Sequence, residues 1–188
     1  MKYYIADTHF GHQNIIHLVN RPFQTTEEMD KTIIQNWNSV VTDNDEVYII
    51  GDLCFRNAKA PEEYLKQLKG RKYLILGNHD AEIRIQMSSN GKFPGLIWIK
   101  DYAEIKDGDR KVILFHYPMA EWNGYFHGAL HLYGHIHNNI ENKASQIMIN
   151  IPGAYNTGAD ILNFTPQTLD GVINCNKIFR QKIQGEYQ

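Results

Sequence analysis

The sequence is short of cysteine and carries no strong excess of charge of either sign. Its 188 residues include only two cysteines, Cys54 and Cys175, too few for the disulfide framework of a small secreted protein. We therefore expect a reduced, cytoplasmic protein in which Cys54 is a buried thiol. Lys and Arg total 19 against 21 for Asp and Glu, giving a net charge of −2. Strong binding of duplex nucleic acid is not expected, because it needs a surplus of basic side chains.

Long apolar runs are also missing, as are linkers, tandem repeats and low-complexity segments. A membrane-spanning helix needs about 20 consecutive apolar residues, and a polar residue appears as early as Asp7. We thus expect neither a signal peptide nor an interaction with a membrane. Hydrophobic residues make up 43% of the chain, enough for a core and too many for a disordered protein. We predict a single domain over residues 1–188.

Histidine is abundant, with nine residues, and several of them stand at the ends of short apolar runs. Such runs, rich in β-branched and aromatic residues, predict strands that are buried on both faces. The runs are KYYIAD (2–7), EVYIIGD (46–52), RKYLILGN (71–78), KVILFH (111–116) and ALHLYGH (129–135). Residues 146–151 predict a further strand, and residues 96–106 one more.

Helical patterns lie between the early strands. Thr25 followed by Glu28 matches a capping box, and the apolar residues after them recur at helical spacing. Residues 61–70 begin with Pro and end with Gly, as helices commonly do, and shorter helices are predicted at residues 12–19 and 81–90. The β-α-β-α-β order predicts parallel strands joined by right-handed crossovers. We predict an α/β protein with two packed sheets.

Polar side chains follow the predicted strands at the point where each strand ends. They are Asp7, His9, Asp52, Asn78, His79, Asp80, His116, His135 and His137. Ligands of open α/β sheets bind at the carboxyl ends of strands, so we expect these side chains to share one site. Mixed oxygen and nitrogen donors suit Mn, Fe, Zn or Ni. The donors are too many for one ion, which favours two ions that share a carboxylate.

These residues form five ordered motifs: DTH (7–9), GD (51–52), GNHD (77–80), a lone His116 and GHIH (134–137). The set resembles the signatures of the calcineurin-like metallophosphoesterase superfamily over residues 5–137. The start, DTHFGH, is similar to that of a small group of bacterial and phage phosphoesterases. The resemblance implies a four-layer α/β/β/α sandwich of two mixed β-sheets flanked by helices.

The resemblance also implies a role for each matching residue. It assigns Asp7, His9, Asp52 and His137 to a first divalent transition-metal ion, manganese by preference. It assigns Asp52, Asn78, His116 and His135 to a second, so that Asp52 bridges the two ions. A hydroxide between the ions would attack phosphorus. His79 would protonate the leaving group or hold a phosphoryl oxygen, and Asp80 would orient His79 and keep it charged.

Other residues leave two interpretations open. Arg56 stands where related phosphatases place a phosphate-binding arginine, or it is a surface residue. His12 either reaches the substrate or belongs to the first turn of a helix. The stretch 117–130, with Trp122, Tyr125, Phe126 and His127, either forms the rim of a cleft or packs as an ordinary loop. His17 is predicted at the surface, and His131 as a hydrogen-bonded histidine between the sheets.

The predicted function is therefore hydrolysis of a phosphomonoester or phosphodiester, with a small phosphorylated substrate such as a nucleotide. One alternative is a binding or scaffold module that keeps the fold without turnover. It is disfavoured because a scaffold of this type, the phosphoesterase-like subunit of retromer, lacks the histidine found here at position 79. A second alternative is a nuclease acting on nucleic-acid ends. The motifs leave the substrate, the choice of metal and the oligomeric state open.

Overall fold

A computed structural model describes residues 1–55 and 59–186 of the chain. Strands and helices alternate in the first half, as the sequence predicts, and strands dominate the part that follows. The strands are β1 (Lys2–Ile5), β2 (Glu46–Ile50), β3 (Arg71–Ile75), β4 (Leu96–Lys100), β5 (Tyr102–Asp107), β6 (Arg110–Phe115), β7 (Leu130–Tyr133) and β8 (Ala154–Asn156). The helices are α1 (Gln13–Leu18), α2 (Thr26–Val40), α3 (Pro61–Leu65), α4 (Ala81–Asn90), α5 (Lys143–Met148) and α6 (Leu169–Glu186).

The first sheet contains β1 to β4 in sequence order, and all of its neighbouring strands are parallel. Helices lie in each connection, as crossovers between parallel strands require. The start of α2 is confirmed, because Thr25 accepts a hydrogen bond from the Glu28 backbone N–H at 3.2 Å. The parallel order brings the carboxyl ends of β1, β2 and β3 to one edge.

The second sheet contains β5 to β8, also in sequence order. β5 and β6 form an antiparallel hairpin, whereas β6, β7 and β8 are parallel to one another. The prediction of two mixed sheets is thus correct for this sheet but not for the first. The second sheet contains an antiparallel pair because a two-residue turn, between Asp107 and Arg110, is enough to join antiparallel strands.

Three groups of buried side chains connect the layers. Helices α1 to α4 cover the outer face of the first sheet, where Trp37 and Ile33 are fully buried. A second group, with Tyr4 from β1 and Leu114 from β6, lies between the sheets. The outer face of the second sheet is covered by α5 and by the segment that includes Trp122. This is the α/β/β/α order implied by the resemblance, with a fourth layer that is mostly loop.

The prediction of a strand over residues 146–151 is wrong. Residues Lys143–Met148 form α5, because Asn142 caps the helix by accepting the Ala144 N–H at 2.9 Å. Ser145 and Met148 face inward while Ile147 stays 58% exposed, which is helical rather than alternating burial. In a short apolar run, the periodicity of a helix cannot be told reliably from the alternation of a strand.

The stretch 96–106 forms two strands rather than one, and they belong to different sheets. The strand conformation is interrupted at Asp101, which lies between β4 of the first sheet and β5 of the second. Strand β8 and helix α6 carry no signal that we interpreted from the sequence. Helix α6 packs against β1 and β8 at the side of the sandwich. Among the described helices, none is long and apolar enough to cross a membrane.

Candidate metal centre

The candidate ligands sit on loops whose backbone is strained. Five of them have positive φ angles, namely Asp7 (54°), His9 (50°), Asp52 (54°), His135 (71°) and His137 (49°). Residues other than glycine rarely adopt this conformation, and each instance costs about 1–3 kcal/mol. Backbone strain of this kind is kept where the surrounding structure enforces it and function requires it.

The first group of donors comes from the loops after β1 and β7. Single donor atoms of Asp7, His9 and His137 all lie within 4.8 Å of one another. The His9 Nε2 atom is 3.9 Å from Asp7 Oδ1 and 3.5 Å from Asp52 Oδ2. Asp7, His9 and Asp52 are almost completely shielded from solvent. The set assigned by resemblance to the first ion is therefore Asp7, His9 and His137 together with Asp52.

The second group of donors comes from the loops after β2, β3, β6 and β7. Donor atoms of Asp52, His116 and His135 lie within 4.8 Å of one another. The Asn78 side-chain oxygen is 3.1 Å from His116 Nε2 and 2.9 Å from His135 Nδ1. His116 Nε2 is 3.5 Å from Asp52 Oδ2, the same oxygen that faces His9. One carboxylate oxygen therefore faces both groups.

The donors fit a metal ion because His9 is buried without a hydrogen-bond partner in the part of the chain that the structure describes. Neither of its ring nitrogens has a protein partner, although the residue is only 1% exposed. Leaving a buried polar atom unpaired costs about 1–3 kcal/mol. An ion held by the His9 Nε2 and the facing carboxylates would satisfy that atom. Imidazole and carboxylate donors together suit divalent transition metals.

Glycines allow the strand-end loops to approach one another. A Cβ at Gly51 would overlap the His116 ring, and a Cβ at Gly77 would overlap the Asp52 carboxylate. A Cβ at Gly134 would overlap the Asp7 carboxylate and lie 2.7 Å from the Ala6 Cβ. The glycines of the GD, GNHD and GHIH motifs are therefore required by close packing of ligand-bearing loops.

Gly134→Ala is expected to displace the Asp7 carboxylate and to weaken metal binding. Overpacking of this kind costs about 1–3 kcal/mol of stability, so the melting temperature should fall as well. Calorimetric titration with Mn²⁺ and thermal melting measure the two effects. Gly185→Ala is the matched control, because a Cβ there has nothing within 4 Å. Equal metal affinity in both variants would show that Gly134 is not needed for the approach.

Burial and neighbouring charges set the protonation of the donors. Burial raises the pKa of Asp7 to about 6, although the histidines His137 and His116 oppose the shift. Burial also acts on Asp52, but hydrogen bonding to His116 and its charge prevail and lower the Asp52 pKa below its usual range. Burial lowers the pKa of His9 well below its usual value. His9 is thus a neutral donor at neutral pH, as a metal ligand must be.

Metal affinity is expected to fall as the pH drops, first because of His116 and further below about pH 6 because of Asp7. Burial alone would lower the pKa of His116, but its hydrogen bond to Asp52 and the charges of Asp7 and Asp52 prevail and raise it to about 9. The raised pKa of Asp7 means that its native carboxyl keeps a proton up to about pH 6, and an ion must displace that proton to bind. Each displaced proton weakens the affinity about tenfold per pH unit below the pKa. Mn²⁺ titrations at pH 5 and pH 7 measure the change. A pH-independent affinity would contradict the assignment of Asp7 as a ligand.

His79 lies beside the first group of donors. Its ring is 5.2 Å from the His9 ring, centroid to centroid, and its backbone N–H donates to Asp52 Oδ1 at 2.9 Å. The side chain is partly exposed, so it can meet a substrate. This position is compatible with the predicted contact to a leaving group.

Asp80 does not occupy the position predicted for it. Its carboxylate accepts backbone N–H groups of Asp52 at 2.9 Å, Leu53 at 3.0 Å and Gly77 at 2.8 Å. Both oxygens are therefore engaged by the loops after β2 and β3 rather than by the His79 ring. The physical reason is that Asp80 begins α4 inside the protein, where unpaired loop N–H groups need an acceptor.

His12 is buried next to the centre. Its ring stacks on Phe55 at 3.8 Å and lies 5.3 Å from the His9 ring. It occupies the N-cap position of α1, and its Nδ1 has no partner among the described residues. Its predicted contact with substrate stays a prediction. Arg56, the other predicted substrate residue, lies outside the described residues.

In the stretch 117–130 the packing interpretation holds for Trp122. Trp122 is buried, and its Nε1 donates to the Ala129 carbonyl at 2.8 Å. Tyr117 is instead the residue of this stretch that contacts the candidate ligands, with its ring 4.7 Å from the His135 ring. Sequence analysis had not singled it out, although its position directly after His116 is a usable signal.

Of the two histidines predicted away from the site, His17 agrees with its predicted place, whereas His131 is hydrogen-bonded as predicted but lies on a different face of the sheet. His17 is exposed on α1. His131 is fully buried, and its Nε2 accepts the Met119 N–H at 3.2 Å. It packs beside Trp122 on the outer face of the second sheet, rather than between the sheets.

Arg21 and Asp160 were missed by sequence analysis. Both are buried at the centre and paired with each other, and Asp160 contacts His137. No local motif marks them, since they belong to segments outside the five signatures. Their place became visible only when the chain was folded.

Comparison with known proteins agrees with the motifs. The profile of the calcineurin-like phosphoesterases matches residues 3–96. An uncharacterized protein of Methanocaldococcus jannaschii is 36% identical over 180 residues, covering 91% of this chain and 88% of its own. The Gene 66 protein of Mycobacterium phage L5 is 28% identical over 72% of this chain and 76% of its own. A protein of unknown function from Aquifex aeolicus has a similar structure, with a TM-score of 0.70, 26% identity and coverage of 93% and 98%.

Proposed function

Because the chain belongs to the calcineurin-like phosphoesterase family, we propose that it hydrolyses a phosphoester with two divalent metal ions. The observation that carries the proposal is the convergence of two donor groups on one Asp52 oxygen, next to the unpaired His9 ring. Two ions would supply Lewis-acid chemistry, offsetting charge on the phosphoryl oxygens and lowering the pKa of bound water.

The protein's own residues orient these donors. Asp7, His9 and His137 would hold the first ion, and Asn78, His116 and His135 the second. Asp52 lies between the groups, and the low pKa of its carboxyl keeps it negatively charged at physiological pH. His116 is fixed in turn, because its Nδ1 lies 2.9 Å from the Ile50 carbonyl. Preorganised donors need little rearrangement when charge develops on a substrate.

His79 would donate a proton to the leaving oxygen. It is attached to the centre through its own backbone N–H, which donates to Asp52, and the residue is partly exposed to solvent. A positioned histidine of this kind contributes about 10²–10⁴-fold to a rate. Asp80 would act on His79 indirectly, by holding the loops on which His79 and Asp52 stand.

The substrate class is proposed as a small phosphomonoester or phosphodiester. The test is a hydrolysis assay with metal-free protein reloaded with Mn²⁺, Zn²⁺ or Fe²⁺. Substrates are p-nitrophenyl phosphate, bis-p-nitrophenyl phosphate and 2′,3′-cyclic nucleotides. We expect turnover of at least one substrate and none after chelation. Metal binding without turnover of any substrate would favour the scaffold alternative.

A further inference from the structure

A buried pair of opposite charges, Arg21 and Asp160, lies next to the first group of donors. The Arg21 side chain is 0% exposed and that of Asp160 is 1% exposed. Arg21 Nε donates to Asp160 Oδ1 at 2.7 Å, and Nη2 is 3.4 Å from the second oxygen. Burying two charges is costly unless further hydrogen bonds satisfy them. The other hydrogen bonds of Arg21 and Asp160 therefore indicate what the pair does in the structure.

Two further hydrogen bonds of Arg21 reach the loop after β1. Its Nη2 donates to the Asp7 carbonyl at 2.7 Å, and its Nη1 donates to the Thr8 carbonyl at 2.9 Å. These carbonyls belong to the stretch that carries Asp7 and His9, both with positive φ. A guanidinium offers several donors in a fixed plane, so Arg21 holds this strained loop in one conformation.

The remaining contact of Asp160 reaches the third donor of the same group. His137 Nδ1 lies 2.8 Å from Asp160 Oδ2. A carboxylate at this nitrogen keeps the proton on Nδ1 and leaves Nε2 as the lone-pair donor. Carboxylate–histidine contacts of this type orient metal-binding histidines and make them more basic. One ion pair therefore supports Asp7, His9 and His137 together.

The second group has less support of this kind. His116 is held by the Ile50 carbonyl, but His135 is exposed. Within residues 1–55 and 59–186, the His135 ring nitrogens hydrogen bond only to Asn78, which is itself a candidate donor. Its side chain must lose freedom when an ion binds, which costs about 0.5–1.5 kcal/mol. The two groups thus differ in how far their donors are positioned beforehand.

We infer that Arg21 and Asp160 are positioning residues of the first metal site, and that this site takes up an ion before the second one does. The inference rests on the metal binding that is part of the proposed function. It does not depend on which phosphoester is hydrolysed, or on whether any is.

The order of loading can be measured on the unmodified protein. Metal-free, ¹⁵N-labelled protein is titrated with Zn²⁺, and the ring nitrogens of the histidines are followed by NMR. Before any metal is added, His137 should show a protonated Nδ1. The first equivalent should shift His9 and His137, and the second should shift His116 and His135. Simultaneous or reversed shifts would overturn the order of loading.

The role of the ion pair is tested by Asp160→Asn and Arg21→Lys. Loss of a residue that supports a metal ligand weakens binding about 10–100-fold, so the first step of a Zn²⁺ calorimetric titration should weaken by this factor. The second step should change little. Arg21→Lys keeps the charge but loses the planar fork, and should weaken the same step less. If Asp160→Asn does not fold, the Arg21→Lys variant and the NMR titration of the wild type still test the role of the ion pair.

Asp170→Asn is the matched control. Asp170 also pairs with an arginine, Arg110, at 2.7 Å, but its side chain is 81% exposed and remote from the centre. Both binding steps should be unchanged in this variant. Wild-type affinity in Asp160→Asn would refute the positioning role. A protein that binds no Zn²⁺ at all would refute the proposed function, whereas binding in the wrong order would refute this inference alone.

Discussion

Asp52→Asn is expected to lose most of its metal and to hydrolyse substrate at least 100-fold more slowly than the wild type. One oxygen of Asp52 faces both His9 and His116 at 3.5 Å, so the substitution removes a negative charge from both donor groups. Changes in residues that only support a ligand already cost about 10–100-fold in affinity or activity. Loss of a shared ligand should cost more than that.

Metal content by mass spectrometry and Mn²⁺ titration measure this effect. We expect at most one ion in Asp52→Asn, bound more weakly than either ion in the wild type. The matched control is Asp101→Asn, which changes an exposed carboxylate paired with Arg84. His135→Ala is the second comparison, and should lose only one ion. Two tightly bound ions in Asp52→Asn would show that the carboxylate is not shared.

His79→Gln is expected to keep its metal and to lose about 10²–10⁴-fold in kcat, the usual contribution of a general acid. The loss should depend on the leaving group. Phenyl phosphate releases a basic phenoxide that needs a proton, whereas p-nitrophenoxide leaves readily without one. We therefore expect the large loss for phenyl phosphate and a much smaller loss for p-nitrophenyl phosphate.

The controls for this prediction separate two roles of His79. His17→Gln changes an exposed histidine on α1 and should leave kcat unchanged. An equal loss for both substrates would identify His79 as a residue that holds a phosphoryl oxygen. Unchanged kcat for both would remove His79 from the catalytic machinery altogether.

Most of the fold could be predicted, because its signals are local. Apolar runs and the Thr25 cap mark β1 to β3 and the helices between them. Where two periods fit the same residues, as in 146–151, the sequence predicts a strand and the structure has a helix. In that segment the Asn142 cap and the packing of Met148 favour the helix over the strand.

The candidate ligands were also predictable from the sequence by itself. Each follows a strand, and parallel strands within one sheet bring their carboxyl ends to one edge. The glycines of the GD, GNHD and GHIH motifs are explained by the close approach of the loops, since a Cβ at Gly134 has no room beside Asp7. The sequence thus determined which side chains are candidate ligands.

Tertiary structure alone decided how those side chains are held. Arg21 and Asp160 are 139 positions apart in the chain, and Asp80 contacts loops rather than the His79 ring. Such contacts join distant segments and need no repeated local pattern. They depend on where buried carbonyls, N–H groups and charges lack other partners, and that is settled only when the two sheets have packed.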